Sequence, residues 1–286
     1  MTQQTDRARP VQVRDAEVVL AEPVGAYVRL VLAAPDVAAG ARPGQFVAFA
    51  VGGPGSAMLL RRSFSIASAD APAGTVEVVV AAAGAGSRWL TERRMGDRID
   101  VVGPLGAPFP LLSGRTVLVG GGYGAAPLAY LRSALPDAAA AVVISGAASA
   151  ERLLEVEGAV VTTDDGSAGR RGRVTDALSD VLSAAHSDAH FDEHSDELAA
   201  GRVSAVYACG PMPMLAAVER VTSRAGVAAY LAVEEAMACG IGVCMTCVLP
   251  VSRPAGAPVR MLRSCVEGPV FAAGEVQFAA VGTLPA

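Results

Sequence analysis

Short apolar runs separated by glycine and proline dominate the first hundred residues of the chain. Three of these runs, at 28–32, 46–49 and 76–80, are rich in valine, leucine and phenylalanine. Short runs with such regular punctuation are typical of the strands of a β sandwich or barrel. We therefore predict an antiparallel β barrel over residues 11–110.

The pattern changes after residue 110, where strand-like runs alternate with helical segments. The run at 116–119 leads into glycines and then into a helical pattern. Three further runs have the composition of buried strands: 141–144, 159–162 and 203–207. Strands that alternate with helices indicate a doubly wound parallel sheet, which we assign to residues 111–232. The remainder, 233–286, holds most of the cysteines and a few short strands, and we predict a small third domain there.

Composition narrows the class of protein without changing this division. The chain has 286 residues, of which 52% are hydrophobic and 18% charged, so it can bury a core and is not expected to be disordered. A net charge of −5 does not predict a nucleic-acid partner. The polar N-terminus does not resemble a signal peptide, and the apolar runs are too short to span a membrane. Five cysteines without a secretory signal indicate a reducing compartment, so we predict a cytoplasmic protein.

Four of the five cysteines are spaced like the ligands of a metal centre. Cys239, Cys244 and Cys247 follow the pattern C-x4-C-x2-C, and 17 residues separate the third from Cys265. This is the plant-type spacing of the thiolate ligands of a [2Fe–2S] cluster. Such a cluster carries one electron at a time, so the spacing predicts a redox relay.

Two glycines inside this run strengthen the iron–sulfur interpretation. Gly240 and Gly242 permit the sharp bends that a short loop needs to surround a cluster, and they let backbone N–H groups approach its sulfurs. The alternatives are a zinc site, a disulfide and buried free thiols. Structural zinc sites usually have two short-spaced Cys/His pairs, whereas only Cys244 and Cys247 form such a pair here.

A glycine-rich loop follows the first strand of the α/β segment. Residues 120–127 read Gly-Gly-Gly-Tyr-Gly-Ala-Ala-Pro, between a predicted strand and a predicted helix. Glycines let the backbone approach a pyrophosphate, and a helix N-terminus offers free N–H donors. Pro127 suits the first turn of that helix. The loop does not match G-x-G-x-x-G, so an ordinary tight turn is the alternative to a dinucleotide site.

Two arginines stand beside hydroxyl side chains in the β-rich segment. Arg61 and Arg62 precede Ser63 and Ser65, and the forked donors of arginine suit a phosphate. The alternative is an exposed edge strand with solvated arginines. Further along, a glycine turn predicts that Ser87 caps a helix, whose start is either a second phosphate site or a simple cap.

In this order the motifs resemble those of the ferredoxin reductase superfamily, in which a flavin barrel precedes a nicotinamide-nucleotide domain. Arg62-Ser63-Phe64-Ser65 matches the R-x-Y-S/T motif of that superfamily. The segment 234–244, EEAMACGIGVC, is close to the cluster motif of the electron-transfer subunits of dihydroorotate dehydrogenase B. Other segments that match in order are 84–87, 103–106, 120–127, 163–169, 209–211 and 265–271. The resemblance covers nearly the whole chain.

This resemblance implies three cofactors and the residues that hold them. The implied FAD site comprises Arg62, Ser63, Phe64, Ser65, Val79, Val80, Ala81, Gly86 and Ser87. Within it, Arg62 would contact the phosphate and Ser65 the reactive edge of the flavin. The implied NAD site comprises Gly120, Gly121, Gly122, Gly124, Ala125, Asp164, Asp165, Cys209, Gly210 and Pro211. The chain departs from the family at Ser63, usually proline, and in the longer gap before Cys265, whose extra residues we place at 252–258.

The resemblance also implies a function and a partner. NADH would reduce FAD, and the cluster would pass the electrons to an FMN-bearing catalytic subunit that oxidises dihydroorotate to orotate in pyrimidine biosynthesis. The implied assembly is a heterotetramer with two subunits of each kind. We expect NAD rather than NADP, because residues 145–149 lack a basic group for a 2′-phosphate. The alternatives are a stand-alone NAD(P)H-dependent reductase for a ferredoxin or an oxygenase, and a redox-sensing regulatory protein.

Three features are given no chemical role of their own. His186, His190 and His194 would align on one face of a helix, but their segment is acidic and serine-rich, so we predict a solvated insertion rather than a metal site. Cys209 has no short-spaced partner, and we expect a packing thiol near the nicotinamide. We expect Trp89 to pack its helix rather than to stack on the flavin.

Overall fold

The first sheet is built from the strands of the β-rich segment. The computed structural model describes residues 10–53, 55–188 and 202–281. The strands are β1 Val11–Val24, β2 Tyr27–Ala33, β3 Phe46–Phe49, β4 Arg62–Ser65, β5 Ser68–Asp70, β6 Thr75–Ala81 and β7 Arg98–Leu105. They lie in the order β4-β3-β7-β1-β2-β6-β5, and every neighbouring pair is antiparallel.

Alternation along these strands places their apolar side chains in one core. In β6, Val76, Val78 and Val80 are buried and pack in the same cluster as Leu30 and Leu32 of β2. Two short helices, α1 Pro35–Gly40 and α2 Ala85–Thr91, also contribute side chains to this cluster. Because strands from across the sheet share a core, the sheet curls around it, and the predicted N-terminal antiparallel barrel is confirmed as this curled sheet.

The second sheet is parallel and carries helices on both faces. Its strands are β8 Arg115–Gly121, β9 Val142–Ala147, β10 Val160–Thr163, β11 Arg170–Arg171, β12 Val203–Cys209, β13 Ala229–Ala232 and β16 Val270–Ala272. They lie in the order β11-β10-β9-β8-β12-β13-β16, and only β16 runs antiparallel to its neighbour. The helices are α3 Ala126–Ala134, α4 Val174–Asp188 and α5 Met212–Ala225.

Strand β8 shows how the two faces of this sheet are covered. Leu118 packs with Leu128 of α3 on one face. Val119 packs with Leu178 of α4 and Leu215 of α5 on the other. All five side chains are at most 1% exposed, so successive residues of one buried strand serve two separate cores. The predicted doubly wound sheet is confirmed.

The C-terminal segment forms a hairpin and then joins the second sheet. Strands β14 Val248–Val251 and β15 Arg260–Arg263 pair with each other, and the extra residues 252–258 lie in their connection. Strand β16 then pairs with β13 through Leu231 and Phe271. The cluster segment is therefore hydrogen-bonded into the α/β domain. The limits of the three domains remain a prediction.

Trp89, the three histidines and the apolar runs were also the subject of predictions. Trp89 packs against the barrel core, with the guanidinium of Arg93 4.0 Å from its ring centroid. The side chain of His186, together with His190 and His194, lies outside the described residues. None of the described helices combines the length and the apolar character that a membrane crossing needs.

Candidate functional site

A cleft of about 620 Å³ lies where the curled sheet, the parallel sheet and the C-terminal segment meet. Both sheets and the segment before the first cluster cysteine contribute lining residues. Ten residues predicted from the sequence line this cleft: Arg62, Ser63, Phe64, Ser65, Val79, Ala81, Ser87, Gly124, Cys209 and Gly210. The residues predicted to hold the flavin and those predicted to hold the nicotinamide therefore share one cavity.

The other predicted nucleotide and flavin residues lie behind or beside the lining. Val80 is fully buried in the barrel core, because alternation in β6 turns it away from the cleft that Val79 and Ala81 face. Ala125 is buried between the domains. The cleft lining also omits Gly86, Gly120, Gly121, Gly122, Asp164, Asp165 and Pro211.

The neighbouring arginines Arg61 and Arg62 have different surroundings. Arg61 donates to a carboxylate oxygen of Asp100 at 2.8 Å, so it is already paired within the domain. Arg62 lies at the cleft, and one of its Nη atoms donates to the carbonyl of Leu60 at 2.7 Å. Arg62 is the only basic side chain among the lining residues that the structure describes. Arg61, just before edge strand β4, is thus committed to Asp100, whereas Arg62, the first residue of β4, suits a phosphate.

Helix α2 fits closely against Arg62. A Cβ atom on Gly86 would lie 2.7 Å from Nε of Arg62, so only glycine leaves the guanidinium its place. The helix begins at Ala85, which puts Ser87 inside the first turn rather than at the cap. Its Oγ accepts hydrogen bonds from the backbone N–H groups of Ala83 and Gly84 at 2.9 Å each. Ser87 therefore caps the helix from its third position, in a capping box whose N-cap residue is Gly84.

The nucleotide side of the cleft lies at the topological switch point of the parallel sheet. From β8 the chain continues to β9 on one side, whereas β12 lies on the other, so a crevice opens at the carboxyl ends of β8 and β12. Residues 122–125 form a 3-10 turn directly after β8. A Cβ atom on Gly124 would lie 2.4 Å from the carbonyl oxygen of Cys209. Glycine is therefore needed for the two loops to approach each other.

The predicted acidic pair lies farther along the same edge. Asp164 and Asp165 follow β10, which is separated from β8 by β9. The Oδ1 atom of Asp165 accepts hydrogen bonds from Oγ and N of Ser167 at 2.6 and 2.9 Å. These bonds lower the pKa of Asp165. The hydrogen bonds between Asp165 and Ser167 thus hold the shape of this loop, and neither aspartate lines the cleft.

Residues that were not individually assigned to a cofactor line the remaining walls of the cleft, although Tyr123, Ala126 and Pro127 belong to the predicted glycine loop. They are Phe46, Leu60, Ala83, Tyr123, Ala126, Pro127, Ala232, Val233, Glu234, Glu235, Ala236, Met237, Ala238, Thr246 and Pro269. Residues 234–238 belong to the quoted cluster motif, but we assigned that motif to the cluster alone. Strand β13 lies parallel to β12, so the residues that follow it leave the sheet at the same carboxyl edge. That position could have indicated that residues 234–238 line the cleft.

Two tyrosines and a glutamate join the walls of the cleft. Tyr123 donates a hydrogen bond to Glu234, and burial together with this bond raises the pKa of the phenol. The Tyr123 ring meets that of Tyr27 edge to face, with centroids 6.0 Å apart. Tyr27 in turn donates to the carbonyl of Arg152 at 2.6 Å. Burial, and secondarily Glu234, raises the pKa of Cys209 to about 12, so this thiol is neutral at physiological pH.

The four clustered cysteines form two pairs. In the first pair, the backbone N–H of Val243 donates to Sγ of Cys239 at 3.4 Å. The backbone N–H of Cys244 also donates to Sγ of Cys239 at 3.5 Å, and that of Cys265 to Sγ of Cys247 at 3.4 Å. Cys247 and Cys265 are buried, whereas Cys244 is exposed. All five cysteines are free thiols.

This pairing fits a centre with two irons. In the described part of the chain, no three His, Cys, Asp or Glu side chains converge closely enough to hold a single metal ion. A structural zinc ion needs four donors around one point. A [2Fe–2S] cluster instead takes two thiolates at each of two irons, and two thiol pairs meet that need. The donor set therefore favours the cluster over zinc.

The backbone of the cluster loop bends where the glycines allow it. Gly240 and Gly242 have φ values of 70° and 83°, in the left-handed region. A Cβ atom on Gly242 would also lie 2.5 Å from Val266. Met245 adopts φ 59°, an uncommon conformation for a side-chain-bearing residue. A hydrogen bond from Thr246 is the main cause that lowers the pKa of Cys244 to about 6, which favours the thiolate needed for metal binding.

Two family models match the parts of the chain that surround the cleft. An oxidoreductase FAD-binding domain matches residues 15–109, and the iron–sulfur cluster binding domain of dihydroorotate dehydrogenase B matches residues 234–277. With the fold and the cleft, these matches define a flavin- and iron–sulfur-binding oxidoreductase. The predicted FAD and [2Fe–2S] binding is thereby confirmed.

Curated relatives place the chain in a particular family. The electron transfer subunit of dihydroorotate dehydrogenase B (NAD(+)) from Geobacillus thermodenitrificans is 38% identical over 246 residues, covering 82% of this chain and 86% of the relative. The same subunit from Desulforamulus reducens is 32% identical, covering 85% and 89%. The chain belongs to the family of dihydroorotate dehydrogenase B electron transfer subunits, as its motifs predicted.

Solved structures agree with this assignment. An NADH-dependent reduced ferredoxin–NADP oxidoreductase, studied for flavin-based electron bifurcation, has a TM-score of 0.73 and 29% identity, covering 92% of this chain and 90% of that one. A ferredoxin reductase in carbazole 1,9a-dioxygenase has a TM-score of 0.59 and 22% identity, covering 76% and 67%. The second likeness shows the shared fold alone.

Proposed function

We propose that this chain carries electrons between NAD(H) and an FMN-bearing catalytic subunit that oxidises dihydroorotate to orotate in pyrimidine biosynthesis. The observation that carries the proposal is the shared cleft. Thr246, which lies between two cluster cysteines, lines the same cavity as Ser65 of the flavin barrel and Gly210 of the nucleotide domain. All three cofactor-binding segments therefore border one space, as a relay over short distances requires.

The chain's own residues would hold each cofactor in a definite place. Arg62 would bind the flavin phosphate, with Ser65 and the backbone of β6 at the ring. Cys239, Cys244, Cys247 and Cys265 would hold the cluster. When bound, the flavin accepts a hydride from NADH and yields single electrons, and the cluster passes these on one at a time. Ser63, Phe64, Val79, Val80, Ala81, Gly86 and Ser87 would complete the flavin site.

Burial around the cluster loop supports a partner on one side. Cys247 and Cys265 pack against Phe46 and Leu105 of the barrel. On the loop itself, Val243 is 75% exposed, and large exposed apolar side chains are typical of interaction surfaces. We therefore place the FMN-bearing subunit on this exposed side, and we propose a heterotetramer of two subunits of each kind.

The nicotinamide nucleotide would bind at the switch point of the parallel sheet. We propose that it contacts Gly120, Gly121, Gly122, Gly124, Ala125, Asp164, Asp165, Cys209, Gly210 and Pro211. Residues 145–149, at the end of β9, carry no basic side chain for a 2′-phosphate, so we propose NAD as the substrate. Turnover with NADPH that exceeds turnover with NADH would contradict this choice.

The limits of the domains and the cellular compartment are also proposals. We divide the chain into a flavin barrel at 11–110, a nucleotide domain at 111–232 and a cluster domain at 233–286. We propose the cytoplasm as the compartment, because the five cysteines are free and reducing conditions keep thiols available for metal.

The experiment that tests the function uses the chain with its partner. The holoprotein is mixed with the FMN-bearing dihydroorotate dehydrogenase subunit of the same organism, and NADH formation from NAD and dihydroorotate is followed at 340 nm. We expect activity in the complex and none in either subunit alone. Dihydroorotate oxidation by this chain alone would contradict the relay.

A stand-alone ferredoxin or oxygenase reductase is the second candidate. The likeness to the NADH-dependent reduced ferredoxin–NADP oxidoreductase over 92% of the chain favours it. Rapid NADH-driven reduction of a ferredoxin by this chain, without complex formation with the FMN-bearing subunit, would support this candidate over the first.

A further inference from the structure

A hydrogen bond between Tyr123 and Glu234 connects two segments of the cleft lining. Tyr123 comes from the glycine loop after β8, and Glu234 from the segment that leads to the cluster cysteines. Both side chains line the cleft. One bond therefore links the glycine loop to the segment before the cluster cysteines.

The Tyr123 phenol is placed by contacts but not packed into a core. Its ring meets the edge of Tyr27, which is only 7% exposed and is held by the carbonyl of Arg152. Tyr123 itself is 39% exposed. A half-exposed ring on a glycine loop can rotate out of the cleft without disturbing the packing beneath it.

The bond also lies beside the residues that would receive the nicotinamide. Gly124 follows Tyr123 directly and touches the backbone of Cys209 and Gly210. Cys209 and Gly210 line the same cleft as Tyr123 and Glu234. A nicotinamide ring brought to Cys209 must share this space with the phenol.

We propose that Tyr123 and Glu234 form a latch that closes the nicotinamide side of the cleft until the dinucleotide displaces it. This inference rests on the proposed function, because it takes the cleft as the place where nicotinamide meets flavin. Tyr123 acts as a positioning and gating residue. The latch limits access of the nicotinamide ring, whereas the rest of the dinucleotide binds along the loops outside it.

A latch of this kind should lower the apparent affinity of the protein for NAD. A ligand that binds only the open form has its apparent affinity reduced by the fraction of protein that is open. A phenol-to-carboxylate hydrogen bond is charge-assisted, and its partial exposure weakens it. We expect the closed form to predominate by about tenfold, so loss of the bond tightens NAD binding by about that factor.

The test compares NAD with ADP-ribose, which lacks the nicotinamide ring. Both ligands are titrated into the FAD- and cluster-loaded protein in complex with its partner, for wild type, Tyr123→Phe, Glu234→Ala and the double variant. Tyr130→Phe is the matched control, because Tyr130, on α3, donates to the carbonyl of Ala41 and lies outside the cleft lining.

We expect each single variant to bind NAD about tenfold tighter and ADP-ribose with unchanged affinity. The double variant should bind NAD no more tightly than either single variant, because the two side chains form one bond. Tyr130→Phe should match wild type with both ligands. Unchanged ADP-ribose binding also shows that the variants are folded.

Three results would overturn the latch. They are NAD binding to Tyr123→Phe that is unchanged or weaker, a double variant about a hundredfold tighter than wild type, and an equal gain for ADP-ribose. A wild-type holoprotein that binds neither ligand would instead contradict the proposed function, so the two failures are distinguishable.

Discussion

Gly124 is the position where one added methyl group should do the most damage to the nucleotide side of the cleft. A Cβ atom there would lie 2.4 Å from the carbonyl oxygen of Cys209, 2.7 Å from its carbonyl carbon and 2.9 Å from Cα of Gly210. All three atoms belong to the backbone, so no side chain can rotate away. Ordinary contact begins at 3.4 Å; the two loops of a Gly124→Ala variant must therefore separate by about 1 Å (3.4 − 2.4).

The expected loss of stability follows from the cost of overpacking. Extra methyl groups in well-packed sites cost about 1–3 kcal/mol, and contact with backbone puts Gly124→Ala near the upper end. For a chain of this size, about 1 kcal/mol lowers Tm by about 2–4 °C, so a cost near 3 kcal/mol should lower it by about 6–12 °C. Because the displaced loops are those proposed to hold the dinucleotide, NAD affinity should fall by about tenfold or more.

The assay is thermal unfolding of the FAD-loaded protein, together with NAD titration. Gly84→Ala is the matched control, because Gly84 has φ −144° and no atom within 4 Å of its added Cβ. Its Tm should stay within about 2 °C of wild type, as for surface substitutions in general. A Gly124→Ala variant with wild-type Tm and wild-type NAD affinity would refute the close approach of the two loops.

Three other substitutions test separate parts of the site. Cys247→Ser should abolish the visible absorbance and the EPR signal of a reconstituted [2Fe–2S] cluster. Cys209→Ser, the control, should retain both signals. Equal loss in the two variants would contradict the ligand assignment. Arg62→Ala should weaken FAD retention by about 10- to 100-fold, since hydrogen bonds to charged groups contribute about 1.5–3 kcal/mol, and fluorescence titration with FAD measures this. Glu275→Ala should lower the free energy of unfolding by about 1.5–3 kcal/mol, because the buried carboxylate accepts hydrogen bonds from the partly exposed guanidinium of Arg253. Chemical denaturation with an unchanged midpoint would exclude that stabilising role.

Features that depend on local sequence were predictable. The run that became β8 is apolar on both sides, and the structure buries Val117, Leu118 and Val119 between two layers of helices. The spacing of the cluster cysteines was equally informative, because three ligands lie within nine residues of one another. Gly240 and Gly242 adopt the left-handed backbone that the tight loop requires.

Features that depend on distant contacts were not predictable. Tyr123 and Glu234 are 111 residues apart, and nothing in either segment identifies the other as its partner. The same limit applies to β16, whose pairing with β13 becomes visible only once the sheet is assembled. Val80 shows a related limit, since assignment of a whole strand to a site does not say which of its side chains face the core.

The central claim is that electrons from NADH reach both the flavin and the cluster of this one chain. An anaerobic titration of the FAD- and cluster-loaded protein with NADH tests it most directly, with flavin absorbance and the cluster EPR signal followed together. Because the flavin takes two electrons and the cluster one, the account predicts that both are reduced and that the end point is about 1.5 NADH per chain. Flavin reduction that ends at about one NADH per chain, with no cluster signal, would contradict the relay.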